Sequence, residues 1–150
     1  MDFKQASEMR YNIQPEVEFS EPMVYDKNRS EEQALIAKGF YNGLNYYVKN
    51  VGYSHPTAYI EIPQGHKAFG DEKLQDLPCH YGVTYTEMHL RLVDDNGERG
   101  HVFVGWDYAH HGDYMPYYKD GEWLEQHSHR WKTEEVVAEC KEAIDWINNI

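Results

Sequence analysis

Two adjacent histidines with flanking aspartates mark the segment of this chain that is best equipped for chemistry. The stretch GWDYAHHGDY at 105–114 places Asp107, His110, His111 and Asp113 within seven positions. Imidazole and carboxylate side chains together transfer protons or bind metal ions, because an aspartate fixes the tautomer of a neighbouring histidine. A polar turn capped by the two aspartates would contain the same residues. The spacing alone gives these two interpretations equal weight.

Two further histidines, His66 and His80, stand near the ends of expected strands, where rigid scaffolds often present functional side chains. The pair His127 and His129 is a weak metal signal, and a solvated loop explains it better. The sequence contains no HExxH, GxSxG or Walker-type motif. It has two cysteines, Cys79 and Cys140, without a CxxC pair, which argues against a thiolate zinc site.

Composition narrows the class of protein. The 150 residues fit one domain, and the formal net charge of −12 argues against general nucleic-acid binding and against anionic membranes. No apolar run reaches the length of a membrane-spanning helix, and the N-terminus lacks the apolar centre of a signal peptide. We therefore expect a soluble, cytoplasmic protein.

Hydrophobic periodicity predicts an α+β domain over 30–150, preceded by an extended N-terminal arm at 1–29. The arm contains Pro15 and Pro22, which favour an edge strand or a loose tail. A helix is predicted from the N-cap Ser30 to Val51, since apolar residues recur at spacings of three and four and Gly52 follows. This helix would flank the sheet.

The sheet is expected to be small, antiparallel and built on a long hairpin. One strand is predicted around Ala58–Ile62, where apolar and polar residues alternate. The hairpin would join 79–93 to 101–107 through the turn sequence Asp-Asp-Asn-Gly at 94–97. A C-terminal amphipathic helix is predicted to begin at Thr133.

Four motifs carry a resemblance to a known family. PQGHKAFG, CHYGVTYT, FVGWDYAHHGD and WKTEEVVAEC occur in one order along the chain. They resemble the GHP, HGGLTYS and GFDxAHxGD segments and the C-terminal W-T-x-E-x-V-x-x-E-C helix of an uncharacterised family of small proteins encoded by phages and prophages. The resemblance covers roughly residues 59–145.

The polar positions of the family motifs are retained. The matching positions are Gly65, His66, His80, Gly82, Thr84, Tyr85, Gly105, Asp107, Ala109, His110, Gly112 and Asp113. The chain departs from the family at Lys67, Tyr81, Val83, Thr86 and Trp106, and His111 fills a variable place. Lys67 stands where the family has proline, so the loop after His66 lacks the family's backbone constraint at this position.

The resemblance favours a site over a polar turn. The chemistry of the residues makes His80, His110 and Asp113 the catalytic candidates, with one histidine activating water or a hydroxyl and an aspartate orienting one ring. The candidate ligand-binding residues are His66, Thr84, Tyr85, Trp106 and Asp107. In a metal-dependent variant, His66, His110 and Asp113 would hold a divalent ion.

Three functions remain open. The first is a phosphodiesterase-like hydrolase of a small phosphorylated molecule such as a nucleotide. The second is a non-catalytic binder that sequesters such a nucleotide, for instance a host defence signal, in the host cytoplasm, with a homo-oligomer as a further option. The third is an acidic inhibitor of a host protein, which the charge of −12 suits but which needs no histidine cluster.

Overall fold

A computed structural model of the protein describes residues 18–116 and 127–150. Six strands in these ranges form one antiparallel sheet with the spatial order β1-β2-β3-β4-β6-β5. The strands are β1 (Phe19–Ser20), β2 (Gln33–Tyr41), β3 (Leu44–Val51), β4 (His55–Ile62), β5 (Tyr85–Glu87) and β6 (Val102–Asp107). The α-helix α1 spans Thr133–Asn148, and two short 3-10 turns cover Lys27–Arg29 and Glu72–Asp76.

The predicted N-terminal helix is wrong. Its residues form the hairpin of β2 and β3, which turns at Asn42 and Gly43. Both turn residues have positive φ, 45° and 90°, as an Asn-Gly hairpin turn requires. Gly52, expected to end the helix, instead donates its backbone N–H to the carbonyl of Glu32 across the base of the hairpin.

The misleading periodicity has a physical cause. Residues four apart share a face in a strand as well as in a helix, so the spacing of Ile36 and Phe40, or of Leu44 and Val48, fits both. Seven consecutive residues of β3, 44–50, are buried, because both faces of this central strand are covered. Two-sided burial removes the alternation by which a strand is usually recognised.

The strand predicted around Ala58–Ile62 is confirmed as β4, and the second predicted hairpin is confirmed only in its pairing. β5 and β6 are antiparallel neighbours, but β5 has three residues instead of the fifteen predicted over 79–93. The Asp-Asp-Asn-Gly segment lies in an irregular loop between them, because the carboxylate of Asp94 accepts the backbone N–H groups of Glu98 and Arg99. This loop buries Leu90 against the sheet.

The predicted C-terminal helix is confirmed, including its start at Thr133 and its apolar stripe. α1 packs on one face of the sheet and encloses the main core. Its buried stripe consists of Val136, Cys140, Ala143, Ile144 and Ile147. A helix on one face of an antiparallel sheet is an α+β arrangement, as predicted.

The opposite face of the sheet carries a smaller cluster of Tyr47, Tyr59, Leu90 and Phe103. Beside it, the fully buried Glu61 accepts hydrogen bonds from Tyr47, Arg99 and His101. These bonds tie the loop between β5 and β6 to the sheet.

Of the predicted N-terminal arm, residues 1–17 lie outside the described ranges. Phe19 and Ser20 pair with Lys38 and Ala37 at the edge of the sheet. The division into an arm over 1–29 and a domain over 30–150 stays a prediction. Among the described residues, no helix has the length and apolar character needed to cross a membrane.

Candidate functional site

His80 and Asp113 form the central pair of the candidate site. His80 Nε2 lies 2.9 Å from both carboxylate oxygens of Asp113. An ionised carboxylate only accepts hydrogen bonds, so Nε2 carries the proton and Nδ1 is the acceptor. Among the described residues, no hydrogen bond engages Nδ1. This tautomer is the one that a histidine needs to accept a proton at Nδ1.

Asp113 is held by donors from two other parts of the chain. Trp131 Nε1 donates to its Oδ1 at 2.8 Å, and the backbone N–H of His110 donates to its Oδ2 at 2.9 Å. The residue is only 3% exposed. Asp113 also forms a backbone bridge to His129, which brings the segment before α1 beside the end of β6. The carboxylate is therefore fixed in position and shielded from water.

Aromatic rings surround the imidazole of His80. Its ring stacks on Tyr108 with centroids 4.7 Å apart and an interplanar angle of 11°. Tyr81 and Trp131 approach its edge or face at 4.9 and 5.0 Å. The backbone N–H of His80 and the hydroxyl of Tyr108 both donate to Glu139 on α1. The helix thus positions the ring through the loop and through its stacking partner.

His110 and Asp107 form a second histidine–aspartate pair beside the first. His110 Nε2 lies 2.9 Å from Asp107 Oδ1, but the ring is not oriented for a hydrogen bond there, so Nε2 is buried without a hydrogen-bond partner. The rings of His80 and His110 are 6.0 Å apart. Tyr81 stacks on His110 at 4.3 Å, and Thr84 Oγ1 donates to Asp107.

Both histidines are reachable from solvent. The side chain of His80 is 17% exposed and that of His110 is 27% exposed. Tyr81, at 59% exposure, leaves one side of its ring open at the rim of the site. Tyr81 has a φ of 59° and precedes Gly82, so a tight turn projects its ring towards the histidines.

His55 also lies beside this site. It begins β4, and the strand alternation places it on the same face as Thr57, which lies opposite Asp107. Burial lowers the pKa of His55, Asp107 and Asp113 act against that effect, and His110 adds to it. His55 Nδ1 and Thr57 Oγ1 are both buried without hydrogen-bond partners. Only the β4–β6 register reveals this neighbourhood.

The structure brings together His80, Thr84, Asp107, His110 and Asp113 from the predicted set, but not the other three predicted residues. His66 binds Asn148 near the end of α1, about 13 Å along the helix from Glu139 at 1.5 Å per residue. Trp106 is 1% exposed and donates to Tyr108 inside the core, out of reach of a ligand.

Tyr85 packs against the smaller cluster of the sheet. Its ring contacts Tyr59 in the smaller cluster, and its hydroxyl donates to the carbonyl of His89. Tyr85 lies opposite Gly105 in the β5–β6 ladder. The neighbouring Thr84 is the residue of this pair that reaches Asp107.

The predicted metal set of His66, His110 and Asp113 is not assembled, because His66 lies at the far end of α1. Within 18–116 and 127–150, no three His, Cys, Asp or Glu side chains are arranged to hold a metal ion.

The cysteines do not supply a nucleophile. Both thiols are free, and burial raises the pKa of Cys79 to about 12 and that of Cys140 still further. Each thiol is therefore protonated and weakly nucleophilic at neutral pH. The chemistry that the arrangement supports is proton transfer by histidine, with an attacking group taken from solvent or ligand.

Comparison of the chain with protein-family models, with curated proteins and with solved structures finds no match. The resemblance to phage-encoded proteins stays a prediction.

Proposed function

We propose that the protein binds a small phosphorylated molecule of nucleotide type and hydrolyses a phosphate ester bond in it. The observation that carries this proposal is the His80–Asp113 pair, in which a buried, fully bonded carboxylate fixes the tautomer of a solvent-accessible histidine. Such a pair is suited to general base catalysis.

In the proposed step, His80 Nδ1 accepts a proton from a water molecule as the water oxygen attacks phosphorus. The bond from phosphorus to the leaving oxygen breaks, and His110 donates a proton to that oxygen. Asp113 keeps the ring of His80 oriented and stabilises the imidazolium that forms. A proton then returns from His80 to His110 through solvent, which restores the starting state.

The separation of the two histidines supports phosphoryl chemistry. Attacking and leaving oxygens lie on opposite sides of phosphorus in an in-line displacement, so the base and the acid must flank the group. The two rings are in edge-to-face contact with centroids 6.0 Å apart, so one phosphate group bound at their open side could contact both His80 and His110. Thr84 and Asp107 lie at the His110 side and are available to hold ligand hydroxyls.

Tyr81 supports recognition of a base. One face of its ring covers His110, and the residue is 59% exposed. Stacking of a nucleobase on an aromatic side chain contributes about 1–3 kcal/mol. The same surface also serves the second candidate, a binder that sequesters a nucleotide without cleaving it.

The resemblance to phage proteins extends the proposal to the biological setting. A phage-encoded protein of this kind would act in the host cytoplasm on a host nucleotide signal. An acidic inhibitor of a host protein is the weaker alternative, because it gives the two histidine–aspartate pairs no role.

The test is a ³¹P NMR assay of wild-type protein with a panel of nucleotide phosphodiesters and pyrophosphates, with and without EDTA. We expect a new phosphate resonance with at least one substrate, and its loss in His80→Gln and His110→Gln. His89→Gln is the matched control, because His89 is exposed and lies outside the site. Absence of turnover, together with a nucleotide released intact when the purified protein is denatured, would favour sequestration instead.

A further inference from the structure

A groove adjoins the candidate site on the far side of Trp131. It has a volume of about 560 Å³ and runs between the segment 22–25 and the start of α1. The residues that give it its character are Pro22, Met23, Tyr25, Arg130, Trp131 and Lys132. This volume lies within the range of small-molecule sites, roughly 300–1,000 Å³.

Hydrogen bonds between its two walls fix the shape of the groove. Thr133 Oγ1 donates to the carbonyl of Glu21 at 2.6 Å, and the hydroxyl of Tyr25 donates to the carbonyl of Trp131 at 2.7 Å. A third bond, from Asn50 Nδ2 to the carbonyl of Val24, ties the outer wall to the sheet. The groove is therefore formed before any ligand enters, which lowers the cost of binding.

The chemistry of the groove is cationic at its rim and apolar on its walls. The guanidinium of Arg130 lies over the rings of Tyr114 and Tyr25, at 4.2 and 5.3 Å from their centroids, and this contact fixes its position. Lys132 adds a second positive charge, while Glu134 is the carboxylate in the lining. The lining thus contains two cationic side chains and one carboxylate, and the carboxylates of Asp113 and Glu135 lie within electrostatic range of Tyr25.

Trp131 connects the groove to the histidine site. Its ring lines the groove, its Nε1 donates to Asp113 at 2.8 Å, and its centroid lies 5.0 Å from that of His80. Burial raises the pKa of Tyr25, Arg130 lowers it and Asp113 raises it. The Asp113 carboxylate is therefore within electrostatic range of the groove. A ligand bound in the groove would reach His80 by passing the indole ring of Trp131.

We propose that the groove is a second subsite, which binds a phosphate group with an attached nucleobase that is not the group being cleaved. This inference rests on the proposed function and specifies its substrate class: a molecule with at least two phosphates, one bound at the two histidines and one beside Arg130 and Lys132. Guanidinium and ammonium groups hold the phosphate, and Pro22, Met23 and Tyr25 contact the base.

Binding of adenosine 5′-monophosphate to the His80→Gln variant tests the subsite without requiring turnover. In ¹H–¹⁵N NMR titrations, the indole N–H of Trp131 should shift, while that of the buried Trp106 reports on the fold. We expect affinity to fall at least tenfold when Arg130→Ala and Lys132→Ala are added. Lys141→Ala, which removes a cation from a different part of α1, should leave the affinity unchanged.

The outcomes separate this inference from the proposed function. Equal affinity with and without Arg130 and Lys132, in variants with an unchanged Trp106 resonance, would overturn the subsite even if wild-type protein hydrolyses a diester. Charge-dependent binding at Trp131 in a protein that cleaves no substrate would uphold the subsite and reject hydrolysis. In an active enzyme, the double substitution should raise KM at least tenfold and change kcat less.

Discussion

Asp113 accepts hydrogen bonds from His80, from Trp131 and from the backbone of His110, so three parts of the chain meet at one buried carboxylate. We predict that Asp113→Asn lowers the free energy of unfolding by about 1–3 kcal/mol. The reason is that the amide NH₂ group, itself a hydrogen-bond donor, would replace one carboxylate oxygen and face the N–H groups that now donate to it. If the protein is a hydrolase, the same change should lower kcat by about 10²–10⁴-fold through loss of the oriented base.

Urea unfolding of Asp113→Asn and of the control Asp76→Asn measures the stability effect. Asp76 is exposed and loses the same charge on substitution. Equal stability of both variants would show that the Asp113 carboxylate is not fixed by its three donors.

His55 gives a prediction with a defined sign in pH. Burial holds its pKa below the ordinary value of 6.5, so the folded chain binds a proton less readily than the unfolded chain. Folding stability from this group is therefore full above the unfolded pKa and falls as the pH drops through it. Between pH 7 and pH 5, His55→Asn should lose less stability than wild type. A steeper loss in the variant would contradict the environment assigned to His55.

Residue type and motif spacing could identify site residues that have reactive side chains in a motif. They could not identify residues that reach the site only through the packing of the folded chain. His80, His110 and the two aspartates were predictable from residue type and motif order. His66 and Trp106 follow the same motifs and have structural contacts instead, with Asn148 and in the core. His55 carries no local motif, and its role depends on a strand register that the sequence does not display.

The hairpin of β2 and β3 shows where element prediction fails. Apolar residues four apart favour a helix and a strand equally, and the local turn signal decides between them. The sequence Asn42-Gly43 is that signal, and it outweighs the helical spacing on either side of it. α1 was predictable to its first residue. One of its faces is buried and the other is exposed to solvent, so its apolar residues recur with the helical period.

The turn yields a prediction for the hairpin. Gly43 has a φ of 90°, and an added Cβ would meet no atom within 4 Å. The cost of Gly43→Ala should therefore come from backbone conformation alone, about 1–2 kcal/mol. Gly43→Asn is the matched control and should cost less, since asparagine tolerates positive φ. Equal effects of the two substitutions in urea unfolding would count against this turn geometry.

Across the whole molecule, a formal charge of −12 opposes the approach of an anionic substrate. Repulsion acts over about 30 Å at 0.01 M salt but only about 8 Å at 0.15 M, where local contacts at the site dominate. We predict that kcat/KM for a phosphodiester rises several-fold between these ionic strengths. Initial-rate assays at constant pH and at both ionic strengths measure this change in kcat/KM directly. A steady decrease with salt would indicate that local cations, including Arg130 and Lys132, control association instead.

The central claim is that His80 and Asp113 act as one unit in phosphate ester hydrolysis. The most direct test measures kcat for the diester selected in the ³¹P assay with wild type, His80→Gln, Asp113→Asn and the double variant. Residues that act together have non-additive effects, so the double variant should be no slower than the slower single variant. Two results would contradict the account: a double variant in which the rate losses of the two single variants multiply, or a wild-type rate no higher than that of His80→Gln.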